Sequence, residues 1–521
     1  MVLRHRIGLL YLPGALPCFE DFGNLPTDLV CADARVDGKS ASEVLDLLII
    51  PGGSLVESQS VNAKVTKEIL RMADSGKFVL GVCSGFQVLA KETDVGRLST
   101  IPITREGLGL LDAEFKPLVC TDRVQATVID KSFITQEIGK TVAGFHCHTY
   151  GKIELGKKSK PIIVSHAKRV NYKKDPQDLI SGVTNYRGNV VGVFIHSLLD
   201  QNPTIIESIC KSLNIDSIEL GLIRQANAKL VENIKSEVGI STNVRQQTQI
   251  SQTPRLLMVT ATGSGSGKTF IVTGIAGALK KKGYNLGVIK VGGDIRDTVP
   301  TLYLIKEPIK DYSSIKIGES GWTSLHQAVN EASKRYDFLL VEGAMSAFTG
   351  LLNENYKRPV STAEVAAALG ASTIVVVGCD KEGIEGALIN TLNYVNILKS
   401  LGVNIRGVIL NKLRISYITD DLRQVMKNAF KNAGIELLGM IPRLDLEGRG
   451  MIPEIEIRYE DFGAQAIDAA EKYIDLDLLA EVASPPMQVD VDFEAFMEKF
   501  KKLLTKYSFS TSQGGKDENC S

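Results

Sequence analysis

At 521 residues the chain exceeds what one hydrophobic core usually organises, and roughly 100–200 residues per domain predicts about two to four units. Lysine plus arginine equals aspartate plus glutamate at 60 each, so no global field draws the protein to nucleic acid or an anionic membrane, and charged ligands must be bound locally. The eight cysteines show no C-x-x-C pair and no even framework of spacings, which reads as reduced thiols in a cytoplasmic protein and excludes a disulfide scaffold.

The opening "MVLRHRIGLLYLPGALPC" sets basic residues before an apolar run, as exported or lipidated proteins do, but Pro13 and Gly14 cut the run short. It reads as a buried strand over residues 6–12 followed by a loop. No later apolar segment approaches the roughly 18 residues that span a bilayer. To about residue 215, β-rich runs such as "LDLLIIPGG", "KFVLGVC" and "NVVGVFIHS" alternate with helical or glycine-rich segments, which predicts a mostly parallel sheet covered by helices. Helical spacing over 219–238 leads into the polar "GISTNVRQQTQISQTP", where a domain boundary is expected. The alternation then restarts with strands at "RLLMVTAT", "LGVIKV", "FLLVEGA", "STIVVVG", "IRGVILN" and "ELLGMIP", predicting a second doubly wound domain. After "SPPMQ", Phe493, Phe496, Phe500, Leu503, Leu504 and Tyr507 stand at helical spacing. That stripe predicts a helix packed on its own domain or on a partner, since its polar face mixes both charges and does not suit a membrane. The tail "STSQGGKDENCS" has a disordered composition. The expected organisation is α/β with two doubly wound domains: 1–215, a helix and polar linker at 216–254, 255–483, and a C-terminal helix and tail at 484–521.

Within "VLGVCSGFQVLA", residues 79–90, a strand ending at Val82 and a helix from about Phe86 place Cys83 on a sharp outward bend, the geometry of a nucleophile elbow. The helix N-terminus lowers the thiol pKa, and the small neighbours admit substrate and backbone amides. A buried cysteine before glycine is, taken alone, more often plain packing. Further stretches change the balance. Gly81, Cys83, Gly85 and Gln87 match a G-x-C-x-G-x-Q pattern, "LLIIPGGS" covers 47–54, and "GNVVGVFIHSLLD" covers 188–200. Together they resemble class I glutamine amidotransferases, particularly the domain of cobyric acid synthase and its relatives. The resemblance implies Cys83 as nucleophile and His196 as its proton acceptor, with backbone N–H groups at Gly53 and Ser84 forming the oxyanion hole. Shorter echoes are "FEDF" at 19–22, "EGLGLLDAEF" at 106–115 and "GFHCH" at 144–148. Most members of the class place a glutamate two residues after the histidine, where this chain has Leu198. The cobalamin-pathway branch shares that departure, so a Cys–His dyad is expected and the group orienting His196 is left open.

His146, Cys147 and His148 include common metal ligands, but on a strand the two histidines share one face and Cys147 points away. His148 reads instead as a structural or interface residue. His5, His166 and His326 stand without companions.

"TATGSGSGKTF" at 260–270 lies between an apolar strand and the helical "FIVTGIAGALKKKG", the context of a phosphate-binding loop. Thr262, Gly263, Ser264, Gly265, Ser266 and Gly267 would cradle ATP phosphates, Lys268 would reach the β and γ phosphates, and Thr269 would bind Mg²⁺. Thr262 replaces the usual first glycine. "VIKVGGDIRD" at 288–297, "LLVEGAMS" at 339–346, "STAEVAAALGAS" at 361–372 and "GVILNK" at 407–412 follow in an order that resembles the synthetase domain of cobyrinic acid a,c-diamide synthase and, more distantly, dethiobiotin synthetase. The second stretch resembles K-V-G-P-D-x-x-D with Gly293 for proline. The resemblance implies that Lys290, Asp294 and Asp297 face the nucleotide and an acceptor carboxylate, that Glu342 helps hold Mg²⁺, and that Asn411 meets the nucleotide base.

The two halves together imply an ATP-dependent amide ligase with glutamine as nitrogen donor and a cobyrinic acid or related tetrapyrrole as acceptor. Cobyric acid synthase-like and nickel-sirohydrochlorin amidation are alternatives, because the first half is nearer one relative, the second half nearer another, and the domain order is reversed from those enzymes. A different class, an ATPase switch resembling the partitioning ATPases, usually carries an extra early lysine that "TGSG" lacks. The expected partners are small molecules, with no nucleic acid and no membrane, and a homodimer is compatible with the sequence.

Overall fold

Valine, isoleucine and leucine runs buried on both faces suit parallel strands covered by helices. A computed structural model describes residues 3–11, 20–55, 61–237, 254–352, 357–381, 383–445 and 457–508. Leu12 at the end of the expected first strand, the start of the loop after it to residue 19, the end of the expected helix and most of the polar linker (238–253), residues 509–521 with the tail, and the side chain of Tyr507 lie outside the described residues. The chain divides into two units. The first comprises Met1–Ser241, Asp294–Lys310 and Leu446–Ala464, and the second Thr242–Gly293, Asp311–Asp445 and Gln465–Ser521.

In the first unit the strands β1 (Ile7–Leu10), β2 (Asp28–Val30), β3 (Leu47–Ile50), β4 (Phe78–Val82), β5 (Arg123–Val128), β6 (Thr141–Phe145), β7 (Ser159–Val170), β8 (Lys173–Asn185) and β9 (Val190–Val193) form one sheet among the described residues. Its order is β6-β5-β7-β8-β9-β4-β3-β1-β2. The run from β9 to β2 is parallel and buried. Beyond β9 the sheet continues antiparallel through β8, β7, β5 and β6. This extension is the main difference from the expected mostly parallel sheet, and its cause is local. β5 alternates exposed and buried residues, the pattern of an antiparallel strand with one covered face. Helix α1 (Ser84–Leu89) leaves β4, and α2 (Pro203–Leu213) and α3 (Ser217–Glu237) follow β9.

The second unit holds β10 (Arg255–Ala261), β11 (Leu286–Val291), β12 (Ser314–Ile315), β13 (Phe338–Glu342), β14 (Ser372–Gly378), β15 (Ile405–Leu413) and β16 (Glu436–Pro442). They form a parallel sheet in the order β12-β11-β13-β10-β14-β15-β16. The strand order reverses beside β10, the switch point where such sheets bind ligands at their carboxyl ends. Helix α4 (Lys268–Lys281) follows β10, and α5 (Gly383–Ser400) follows β14. In the C-terminal helix α6 (Phe493–Ser508), Phe496 and Phe500 are buried in this unit's core, with Phe493 and Leu503 packed against it. These four stripe residues thus pack on their own unit, while Leu504 is exposed. Among the described residues no helix is long and apolar enough to cross a membrane.

Candidate functional site

Cys83 sits between β4 and α1 with φ 51° and ψ −110°, a conformation an L-residue adopts only under constraint. The constraint is backbone packing. A Cβ at Gly85 would lie 2.2 Å from the Ile50 carbonyl oxygen, and one at Gly81 would lie 2.5 Å from the Gly85 carbonyl oxygen. Only glycines let α1 fold back this closely on β3 and β4, and that close return turns the cysteine outward. A Cβ at Gly52 would lie 2.9 Å from His196 Cε1 and 3.3 Å from Cys83 Cβ, so the glycine of the 47–54 stretch faces both side chains.

His196 follows β9 and lines the same pocket as Cys83. Its backbone exchanges hydrogen bonds with Phe145, and the Phe145 ring stacks on the imidazole at 5.1 Å between centroids. Its Nδ1 lies 2.5 Å from Glu20 Oε1, while Glu20 Oε2 accepts the Ser197 N–H at 2.6 Å. Asp200 returns the grip by accepting the backbone N–H groups of Asp21 and Gly23 at 3.1 and 2.7 Å. Burial pushes the His196 pKa down, but the Cys83 sulfur and the Glu20 carboxylate outweigh it and raise the group to about 10. Glu20 is therefore the orienting group that the sequence left open. No spacing links it to a histidine 176 residues away; the only signal was its place in "FEDF".

These groups open onto a pocket of about 630 Å³ within the first unit, lined by Gly53, Cys83, Ser84, Gln87 and His196 and, from Asp294–Lys310 and beyond, by Arg296, Val299, Pro300 and Tyr459. Cys83 Sγ lies 3.6 Å from the Cys147 carbonyl oxygen. His148, also at the pocket, accepts at Nε2 from His146 Nδ1 at 2.7 Å if its own Nδ1–H donates to the Leu118 carbonyl at 3.3 Å. His146 Nε2 then takes a bond from Ser165 at 2.7 Å. Burial holds both rings neutral, with His148 pushed down to about 3. Their nitrogens are committed to this chain.

In the second unit, Gly265 and Gly267 adopt φ 79° and 83°, turning the loop between β10 and α4 into a phosphate-cradle shape. Parallel register brings the ends of β11, β10 and β13 together, with Lys290 opposite Glu342 and Val259 opposite Glu342. Glu342 Oε1 accepts from Thr269 Oγ1 at 2.8 Å and from Lys268 and Lys290 Nζ at 3.3 Å each. Glu342 is fully buried, and its Oε2 has no hydrogen-bond partner among the described residues. An orphaned carboxylate oxygen beside a threonine hydroxyl fits a hard cation that takes oxygen ligands. Asn411 Nδ2 donates to the Ser266 carbonyl at 2.9 Å, and Lys412 Nζ to that of Gly265 at 2.7 Å, so β15 braces the loop from beneath. A cleft of about 770 Å³ runs from Thr262, Gly263, Ser264, Gly265 and Ser266 to Asp380, Lys381, Asn390 and Tyr394.

The structure thus groups Cys83, Ser84, Gly53, Gln87 and His196 in one pocket, and Lys268, Thr269, Lys290 and Glu342 in one cluster. Asp294 and Asp297 belong to the first unit and Lys290 to the second. Asp294 is held by Arg296, whose Nε and Nη2 donate to its two oxygens at 2.8 and 2.7 Å.

Residues 6–204 match the family described as CobB/CobQ-like glutamine amidotransferase domain, and residues 255–448 match the AAA domain family. The AAA match supports ATP as the ligand of the glycine loop. A cobyric acid synthase of Clostridium botulinum is 30% identical over 184 residues, 33% of this chain and 34% of the relative. A hydrogenobyrinate a,c-diamide synthase of Mycobacterium tuberculosis is 31% identical over 244 residues, 44% of this chain and 51% of the relative. Among solved structures, PurLQS from Thermotoga maritima is similar over 40% of this chain and 99% of its own, with 22% identity and a TM-score of 0.31. The chain spans between about a third and a half of the length of these two curated relatives. The chain thus joins, in that order, a segment similar to the CobB/CobQ-like glutamine amidotransferase domain and a segment similar to the AAA domain.

Proposed function

We propose that the protein is an ATP-dependent amide ligase that takes nitrogen from glutamine and amidates carboxylates of cobyrinic acid or a related tetrapyrrole in the cytoplasm. The observation that carries this reading is Cys83 on a strained elbow sharing one pocket with His196, which Glu20 holds, in a chain that also bears a glycine loop backed by Lys268, Lys290 and Glu342. The curated relatives are named for corrinoid amide synthesis, which supports the acceptor class.

In this mechanism the Cys83 thiolate attacks the side-chain amide carbon of glutamine. Backbone N–H groups at Gly53 and Ser84 stabilise the oxyanion, and His196, protonated and steered by Glu20, gives its proton to the departing ammonia. Water then releases glutamate from the thioester. In the other domain, an acceptor carboxylate attacks the γ-phosphorus of ATP, ADP leaves, and ammonia displaces phosphate from the acyl phosphate to form the amide. Lys268 and Lys290 neutralise charge that develops during transfer. Thr269 and Glu342 would hold Mg²⁺, which supplies further neutralisation at the phosphates. Asp294 and Asp297 keep the acceptor-side role that their motif implies, and Asn411 keeps the role beside the nucleotide. A carboxylate does not accept ammonia without activation, and free ammonia protonates in bulk water, so the two chemistries need each other.

The test is amide formation by the Cys83→Ser chain, read by mass spectrometry with ATP and a panel of tetrapyrrole acids. Loss of glutamine-dependent product with ammonia-dependent product retained is the expected result. Absence of amide from the wild-type chain with either nitrogen source sinks the proposal and favours a nucleotide-driven switch.

A further inference from the structure

Free glutamine is a zwitterion, so a pocket that selects it must recognise an α-carboxylate as well as the reacting amide. Among the described residues lining the Cys83 pocket, Arg296 is the only lysine or arginine. Its side chain is 11% exposed, and its plane is fixed from three sides. Nε and Nη2 grip Asp294, Nη2 also donates to the Tyr172 hydroxyl at 2.5 Å, and Nη1 donates to Thr149 Oγ1 at 2.9 Å. Those bonds use four of the five guanidinium N–H groups and leave one on Nη1 for a ligand. A planar fork held this way is preorganised for a carboxylate.

The spacing suits the ligand. Thr149, which holds Nη1, stands two residues after Cys147, whose carbonyl touches the Cys83 sulfur. Two residues of chain span at most about 7 Å, and four single C–C bonds put about 5 Å between glutamine's amide carbon and its carboxylate carbon.

We propose that Arg296 is the donor-specificity residue of the pocket and binds the α-carboxylate of glutamine; this rests on the reading that Cys83 hydrolyses glutamine. Arg296 lies outside the amidotransferase match at 6–204, in one of the two unspecified places of the 288–297 stretch. Donor selection is then supplied by a chain segment whose flanking aspartates belong to the acceptor-side motif.

Full-length Cys83→Ser protein, titrated calorimetrically with L-glutamine and with L-glutaminamide, separates recognition from turnover. Preference for the acid over its α-amide is expected to be about 10- to 100-fold. It should fall below about 3-fold with Arg296→Ala added, and by at least about 5-fold with Arg296→Lys, which covers a failure of the alanine variant to fold. An unchanged ratio, or equal weakening of both ligands, overturns the proposal, because a purely structural role would not distinguish acid from amide. A wild-type chain that neither binds nor hydrolyses glutamine overturns the parent reading as well, whereas intact hydrolysis with an unchanged ratio overturns this inference alone.

Discussion

Three histidines of the first unit are buried beside one another, yet they differ in charge. His146 and His148 hydrogen-bond neutral groups, and burial, reinforced by the nearby charges of His196 and, for His148, Arg296, drives their pKa values down; His196 meets the Cys83 sulfur and Glu20, which reverse the same burial and raise it to about 10. Replacing Glu20 by Gln is expected to slow glutamate release from glutamine by about 100-fold or more while ammonia-dependent amidation continues; a loss smaller than about 3-fold would remove Glu20 from the mechanism. The same charge predicts a pH effect on stability. His196 is raised from 6.5, so its contribution is fully present below that value and is lost as pH climbs through about 10. The melting-temperature gap between wild type and Glu20→Gln should therefore be widest near pH 6 and shrink towards about pH 10. A gap that stays flat would contradict a charged imidazole. Cys83 and Lys268 were legible because each is defined by neighbours a few residues away. Glu20 and Arg296 were not, since Glu20 reaches His196 and Arg296 reaches the pocket only when distant segments pack together.

The elbow and the glycine loop both depend on glycines, but for different reasons that substitution can separate. At Gly85 an added methyl meets the backbone of β3, which cannot turn aside, so Gly85→Ala is expected to cost about 3 kcal/mol or more and to lower the melting temperature by several degrees. At Gly263 an added methyl meets nothing within 4 Å, and the residue is not among those of positive φ. Gly263→Ala should therefore melt within about a degree or two of wild type, and thermal scans of both variants check the contrast. At this scale the second unit was read more fully than the first. Its six long strands are apolar runs, each marked by its own composition, while the two-residue β12, Ser314–Ile315, carries no such mark. In the first unit, β5 carries the alternation that marks an antiparallel strand, whereas β7 and β8 carry lysines and no regular alternation of buried and exposed residues.

Across the whole molecule, the chain leaves the first unit after residue 241 and returns to it twice. Glu460 ties these visits together: its Oε1 accepts from the hydroxyls of Tyr11 and Tyr303, each at 2.7 Å, and the ring of Tyr303 packs on Tyr459 at 5.4 Å. Glu460→Ala should speed hydrogen exchange in residues 294–310 and raise the KM for glutamine about 3- to 10-fold. Unchanged exchange there would show that the tie does not hold the segment. No sequence pattern announced these returns, because residues 294–310 read as part of the second domain's own alternation.

One consequence of the threefold visit concerns the order of synthesis. About 250 residues separate the end of the amidotransferase match from Tyr459, and at roughly 5–20 residues per second a ribosome needs about 12–50 s to cover them. During that interval the nascent chain already carries Cys83, Glu20 and His196, gains Arg296, Val299 and Pro300 part-way through, and receives Tyr459 last. The Cys83 thiol therefore spends that interval in an incomplete pocket, whose wall is finished by a residue made long after the sulfur it faces.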